Sequence, residues 1–137
     1  MVSRVRDIMV TDVTTVESSA TALDAAKVMG ESGVGSVVVL ESSKPVGILT
    51  ERDFITKIVS KEVNPAEVKV SDFMSKLLIT VLPDVDISSA ASMMSEHGIN
   101  RLPVVSDGKL LGIVSAKTLL ENITKYISSL FAEYMTV

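Results

Sequence analysis

Cysteine is absent from the chain, which removes disulfides, thiolate nucleophiles and zinc–cysteine sites. Tryptophan is absent too, and aromatic residues make up only 4%, so intrinsic fluorescence is a poor probe of binding. Histidine occurs once, as His97 next to Gly98. With no partner base or nucleophile it forms no catalytic set, and an enzyme is not expected. No apolar run approaches the roughly 18 residues of a membrane span. Met1-Val2-Ser3-Arg4 lacks the apolar stretch of a secretory signal, so a cytoplasmic chain without membrane insertion is expected. Basic charge is scarce: 13 Lys and Arg stand against 17 acids, a net charge of −4, with a pI near 5.0. That balance weighs against nucleic-acid binding, which draws on clustered cations, but it leaves room for a local basic pocket. The acids, including Asp84 with Asp86 and Glu51 with Asp53, show no spacing that identifies a metal. Gly33-Val34-Gly35-Ser36 is no dinucleotide fingerprint, which needs a strand before it and a helix after it.

What the chain has is an internal repeat. Sliding the sequence by 65 positions lays Val5-Arg6-Asp7-Ile8-Met9 on Val70-Ser71-Asp72-Phe73-Met74, and Gly47-Ile48-Leu49-Thr50 on Gly112-Ile113-Val114-Ser115. Of the 51 ungapped pairs from Val5/Val70 to Ile55/Leu120, fourteen are identical. Two copies of one small unit follow.

Both copies read alike. Ala22, Ala25, Ala26 and Met29, and in the second copy Ile87, Ala90, Ala91 and Met94, have the spacing of a helix with one buried face. Each stripe stops at a glycine, Gly33 or Gly98. Ser36–Leu40 and Arg101–Val105 read as strands, with Pro103 pulling its strand toward an edge or a first position. Turns at Glu41-Ser42-Ser43-Lys44 and Ser106-Asp107-Gly108-Lys109 lead to second strands. These end in a hydroxyl, Thr50 or Ser115, placed to cap a following helix. With short strands at Thr15-Val16 and Thr80-Val81, each copy runs strand, helix, strand, strand, helix. One copy of about 55 residues is marginal alone. The 137 residues, 47% apolar with mean hydropathy +0.42, are therefore expected to share one core.

Candidate chemistry falls where the last strand of a copy becomes its last helix. Thr50 and Asp53 would point from one helix start. Such an end offers free N–H groups and partial positive charge to a phosphate, and a carboxylate can accept hydrogen bonds from two neighbouring hydroxyls, as on a ribose. A plain helix cap explains Thr-x-x-Asp equally well.

The repeat, its element order, the phrase Gly47-Ile48-Leu49-Thr50-Glu51-Arg52-Asp53, the two leading Val-x-Asp-x-Met segments and Gly98-Ile99-Asn100-Arg101-Leu102-Pro103-Val104-Val105 together resemble a tandem pair of cystathionine-β-synthase (CBS) domains, the Bateman module. The resemblance covers nearly the whole chain. It implies an α/β (α+β) fold of two pseudo-symmetric β-α-β-β-α repeats packed sheet to sheet: repeat one over 1–60, a linker over 61–69, repeat two over 70–125 and a helical extension over 126–137. It also implies two clefts that bind adenosine compounds, and a stand-alone regulatory role without catalysis. Carried over by residue, Asp53 holds the ribose hydroxyls and Thr50 contacts ribose or phosphate. Leu78 and Ile79 take the adenine with Pro103 nearby, while Arg101 and Lys117 meet phosphate. Guanidinium suits phosphate oxygens geometrically, whereas a surface ion pair for Arg101 and plain exposure for Lys117 are the ordinary alternatives.

The ligand expected is AMP, ADP or ATP, with S-adenosylmethionine disfavoured because it brings Arg101 no phosphate. It serves as a regulatory ligand, and no obligatory cofactor is implied. In the second copy Thr118 stands in place of the ribose carboxylate, and on the phosphate side of that second cleft copy one offers Gly35 and Ser36 where copy two offers Asn100 and Arg101, leaving Arg52 as the nearest cation. That second cleft is expected to be weak or empty. The apolar steps Leu120, Ile123, Ile127, Leu130, Phe131 and Tyr134 predict a long final helix, covered either by its own module or by a homodimer partner. The segment Ser3–Met9 reads as a helix belonging to the first repeat's entry or to the dimer. An adenosine sensor that signals to an effector protein and forms a homodimer is the favoured reading. A structural or dimerisation module with a vestigial cleft is the alternative.

Overall fold

The computed structural model describes residues 3–76 and 79–135. A one-turn helix α1 (Val5–Ile8) precedes β1 (Thr15–Glu17), α2 (Ala22–Ser32) and the hairpin of β2 (Ser36–Glu41) and β3 (Lys44–Thr50). The helical turn α3 (Glu51–Phe54) continues directly into a π turn at Ile55–Val59. A 3-10 turn at Pro65–Glu67 and the short α4 (Val70–Phe73) lead to α5 (Ile87–His97), the hairpin of β4 (Arg101–Ser106) and β5 (Lys109–Ser115), and α6 (Ala116–Met135). The fold is mixed α+β, with the repeated element order that the sequence predicts. The opening strand of the second repeat, however, is reduced to one parallel bridge between Val81 and Val104.

Local chemistry sets these boundaries. Thr21 caps α2 by accepting from the Asp24 amide at 3.1 Å, and the Asp24 carboxylate accepts in return from the Thr21 amide at 3.2 Å. Gly33 and Gly98 close α2 and α5 in the left-handed region, at φ 66° and 62°, where a Cβ is unfavourable. The buried face of α2 is Ala22, Ala25 and Met29. Ala26 turns to solvent while the bulkier Val28 packs against the core, a small rotation from the predicted stripe. Asp86 caps α5, and the Ser89 amide, followed by the Ser88 hydroxyl, holds its carboxyl below the ordinary carboxylate value.

In the first sheet β2 lies between a parallel β1 and an antiparallel β3, with Val38 opposite both Thr15 and Ile48. Its turn puts Ser42 and Ser43 at φ 50° and 66°, and Asp107 and Gly108 repeat this at 53° and 75°. Two successive positive φ angles are what a mirror-type two-residue hairpin demands. Pro103 is neither first nor exposed; it is the third residue of β4 and buried. Its carbonyl accepts from the Val81 amide at 3.0 Å, so the bridge begins at this carbonyl and does not call on the N–H that proline lacks.

The chain divides into two compact units, one of Asp12–Ile79 with Asp107–Leu110, the other of Met1–Thr11, Thr80–Ser106 and Leu111–Val137. Each unit takes in the leader of the other sequence repeat. In the unit built around β1–β3, the leader at 68–75 donates Val70 N to Ala20 O (2.8 Å), accepts at Val68 O from Ala22 N (2.8 Å), and pairs Ser75 with Ile48 in both directions (3.0 and 3.3 Å). In the other unit the equivalent residues, each 65 positions away, do the same. Val5 N bonds Val85 O (2.8 Å), Ile87 N bonds Ser3 O (3.1 Å), and Val10 pairs with Ile113 (2.9 Å both ways). Val5 and Val70 are both fully buried. The N-terminal segment, leader of the first sequence repeat, therefore packs in the unit of the second, because its backbone groups find their partners at Pro83, Val85 and Ile113.

Candidate functional site

β3 ends in Thr50, whose extended backbone (φ −120°, ψ 164°) turns the chain into α3. The Thr50 amide donates to Asp53 Oδ2 at 2.9 Å, the Thr50 hydroxyl donates to the same oxygen at 3.2 Å, and the Asp53 amide donates to Thr50 Oγ1 at 3.4 Å. Glu51 N is held by Gly35 O at 3.0 Å, which ties the helix start to the head of β2. Asp53 is only 8% exposed. A carboxylate this enclosed needs a partner, and Lys57 supplies it, with Nζ 3.1 Å from Asp53 Oδ1. The same ammonium donates to Phe73 O at 2.9 Å. Sequence reading missed Lys57. Its signal was the i,i+4 spacing of opposite charges on a helix.

The second repeat builds the same cap without the charge. Ser115 Oγ and Thr118 Oγ1 lie 3.0 Å apart, the Thr118 amide donates to Ser115 Oγ at 3.2 Å, and Ala116 N bonds Asn100 O at 2.8 Å. In place of Lys57 stands Asn122, whose side-chain amide donates to Thr118 O at 2.9 Å. Carboxylate and ammonium are replaced together.

Of the residues singled out from sequence, Thr50 and Asp53 are thus in direct contact, and half-buried Ile79 belongs to the same unit. Leu78 lies outside the described residues. Arg101, Pro103 and Lys117 belong to the other unit. There the Ala116–Asn100 hydrogen bond sets Arg101, at the start of β4, and exposed Lys117, in the first turn of α6, at one end of the unit. Arg101 Nη1 donates to Asn100 Oδ1 at 3.2 Å, and among the described residues it has no carboxylate partner. The surface ion pair that would have been its ordinary role is absent there. Pro103 is core.

Among the described residues no cluster of three or more His, Cys, Asp or Glu could hold a metal ion. Among the described residues no helix is long and apolar enough to cross a membrane. The stripe on α6 is exposed within this chain, with Leu120 at 65% and Phe131 at 64%.

Comparison with known proteins returns one family. The CBS domain model matches twice, at residues 5–60 and 70–125. An uncharacterized protein of Methanopyrus kandleri is 43% identical over 126 residues, 90% of this chain and 64% of its own length. The CBS domain-containing protein YhcV of Bacillus subtilis is 34% identical over 120 residues, 88% of this chain and 85% of its own. Among solved structures, the hexameric CBS-CP12 protein from bloom-forming cyanobacteria superposes with a TM-score of 0.81 at 32% identity, over 88% of this chain and 67% of that one. The chain thus spans just under two thirds of the M. kandleri relative.

Proposed function

We propose, since this chain belongs to the CBS domain family, that it is a regulatory module that binds an adenosine ligand through Thr50 and Asp53 and passes a conformational change to an effector protein. One observation carries the reading: an enclosed carboxylate sits under the cap at the head of α3, whereas the same cap in the second repeat is neutral. A carboxylate fixed in this way is already aimed to accept a ribose hydroxyl, and such preorganisation favours binding. Thr118 has no anionic acceptor to offer, which supports one nucleotide per chain. AMP, ADP and ATP are proposed ahead of S-adenosylmethionine as the ligand.

Calorimetric titration of the full chain is expected to show saturable binding of AMP, ADP or ATP at about one ligand per chain, with weaker binding of S-adenosylmethionine, and a matching rise in Tm. No heat with any of these ligands, with Tm unmoved at millimolar nucleotide, would return the chain to the assembly-module reading.

The exposed stripe of α6 supports self-association as a companion proposal. Leu120, Ile123, Ile127, Phe131 and Tyr134 form an apolar face open to solvent within this chain, which favours burial against a partner. The solved CBS-CP12 relative is a hexamer. Light scattering is expected to give at least twice the mass of 14.6 kDa, and the mass of a single chain would remove the proposal.

A further inference from the structure

Asp53 is nearly saturated before any ligand arrives. A carboxylate has about four acceptor positions. The amide and hydroxyl of Thr50 occupy Oδ2, and Lys57 occupies one side of Oδ1. A ribose presenting two adjacent hydroxyls to this carboxylate finds one position open and must displace a donor to gain another. Thr50 is held by its own helix cap, both as donor and as acceptor. Lys57 is the loose member, with a side chain 43% exposed and a flexible stem.

Lys57 also connects the carboxylate to another part of its unit. Its second bond ends on Phe73 O, the last residue of α4. The Phe73 ring meets that of Phe54 edge-on, with centroids 5.2 Å apart, and Ser75, two residues on, pairs with Ile48 in β3. This segment is the leader of the second repeat. In the other unit Thr118 and Asn122 replace the charged pair, and the Asn122 side chain bonds within its own helix. The π turn at Ile55–Val59, in which Lys57 lies, likewise has no counterpart in the regular helix α6.

Resting on the Asp53 reading, we infer that Lys57 is a latch between the ligand site and the leader of the second repeat. A ribose at Asp53 takes over the acceptor that Lys57 holds, the ammonium leaves the carboxylate, and its hold on Phe73 O weakens. Occupancy of Asp53 is thereby reported at residues 70–76. Lys57 is a positioning residue with two consequences for the empty protein: it competes with the ligand and it clamps the leader.

Adenosine is the probe, since it has no phosphate for Lys57 to attract. In Lys57→Met, adenosine affinity is expected to rise about three- to fivefold, the range for loss of a partly exposed ion pair. Without ligand, hydrogen exchange at 73–76 should quicken by a similar factor, while β2 amides keep their wild-type protection and so report an intact fold. Adenosine added to wild type should quicken the same amides, and in Lys57→Met it should quicken them no further. Lys57→Gln, which keeps a donor but loses the charge, should bind adenosine more tightly than wild type with the leader less disturbed than in Lys57→Met. Adenosine affinity and leader exchange both unchanged by Lys57→Met would overturn the latch and leave Asp53 as the ribose residue. Failure of wild type and Lys57→Met alike to bind adenosine or AMP would overturn both readings.

Discussion

Gly47→Ala is expected to destabilise the chain by about 1–3 kcal/mol, and Gly47→Val by more, because neither finds room for its Cβ. A Cβ on Gly47 would lie 2.7 Å from Met74 Sδ and 2.8 Å from Ser75 O. The sulfur can move; the carbonyl is backbone and moves only if residues 74–75 lift away from β3. That lift breaks the paired bonds of Ile48 with Ser75. Gly112 repeats the geometry, with Val10 O at 2.7 Å and Met9 Sδ at 2.9 Å, so Gly112→Ala should cost a similar amount. Gly30 is the control. It lies within α2 with nothing inside 4 Å of its would-be Cβ, so Gly30→Ala should stabilise by about 0.5–1 kcal/mol through helix propensity alone. Urea midpoint shifts of opposite sign for Gly30→Ala and Gly47→Ala check the argument. A Gly47→Ala protein as stable as wild type would mean that the leader of the second repeat does not pack on β3.

These glycines also mark how far the sequence alone could be read. That Gly47 and Gly112 occupy the same place in each copy was visible in the 65-residue shift, as were the caps at Thr50 and Ser115 and the stops at Gly33 and Gly98. Those features are local, set by one residue and its neighbours within about four positions. The reason for Gly47 is not local. It lies in Met74 and Ser75, which precede the other copy, and a repeat is compared in sequence by assuming that each copy packs with itself. The packing of the helix at Ser3–Met9 was open in the sequence for the same reason, since its amides bond Pro83 and Val85, far along the chain. Lys57 was missed for a related reason. Its pairing with Asp53 is an ordinary helical spacing, but its bond to Phe73 O crosses sixteen residues, a span that no periodicity encodes.

The leading Val-x-Asp-x-Met segments gain a physical meaning from the same contacts. Val5 and Val70 are the buried anchors. The Asp7 carboxylate accepts from the Arg4 amide at 2.9 Å and so closes the first turn of α1, and Asp72 occupies the equivalent first-turn position of α4. The methionines rest against the glycines. A resemblance between short phrases therefore corresponds to one structural device used twice.

The largest functional effect is expected at Asp53. Asp53→Ala should lower AMP affinity at least tenfold, because each hydrogen bond to a charged group contributes about 1.5–3 kcal/mol and about 1.4 kcal/mol is a factor of ten. Thr118→Ala, at the matching position of the neutral cap, should leave affinity within about twofold of wild type. Asp53 is also the acid of a capping box, so its loss will weaken α3 whatever it binds. Asp24 separates the two effects. It closes the same box with Thr21 on α2, with hydrogen bonds of 3.1 and 3.2 Å, and no feature of its surroundings suggests a ligand. Asp24→Ala should therefore lower Tm as a lost cap does and leave AMP binding intact, while Asp53→Ala should do both kinds of damage. If titration shows AMP bound as well by Asp53→Ala as by wild type, and both variants lose only thermal stability, then Thr50-x-x-Asp53 is a helix cap in both senses that matter. The neutral cap of the second repeat would then reflect a difference in stability between the two units, with no bearing on ligand choice.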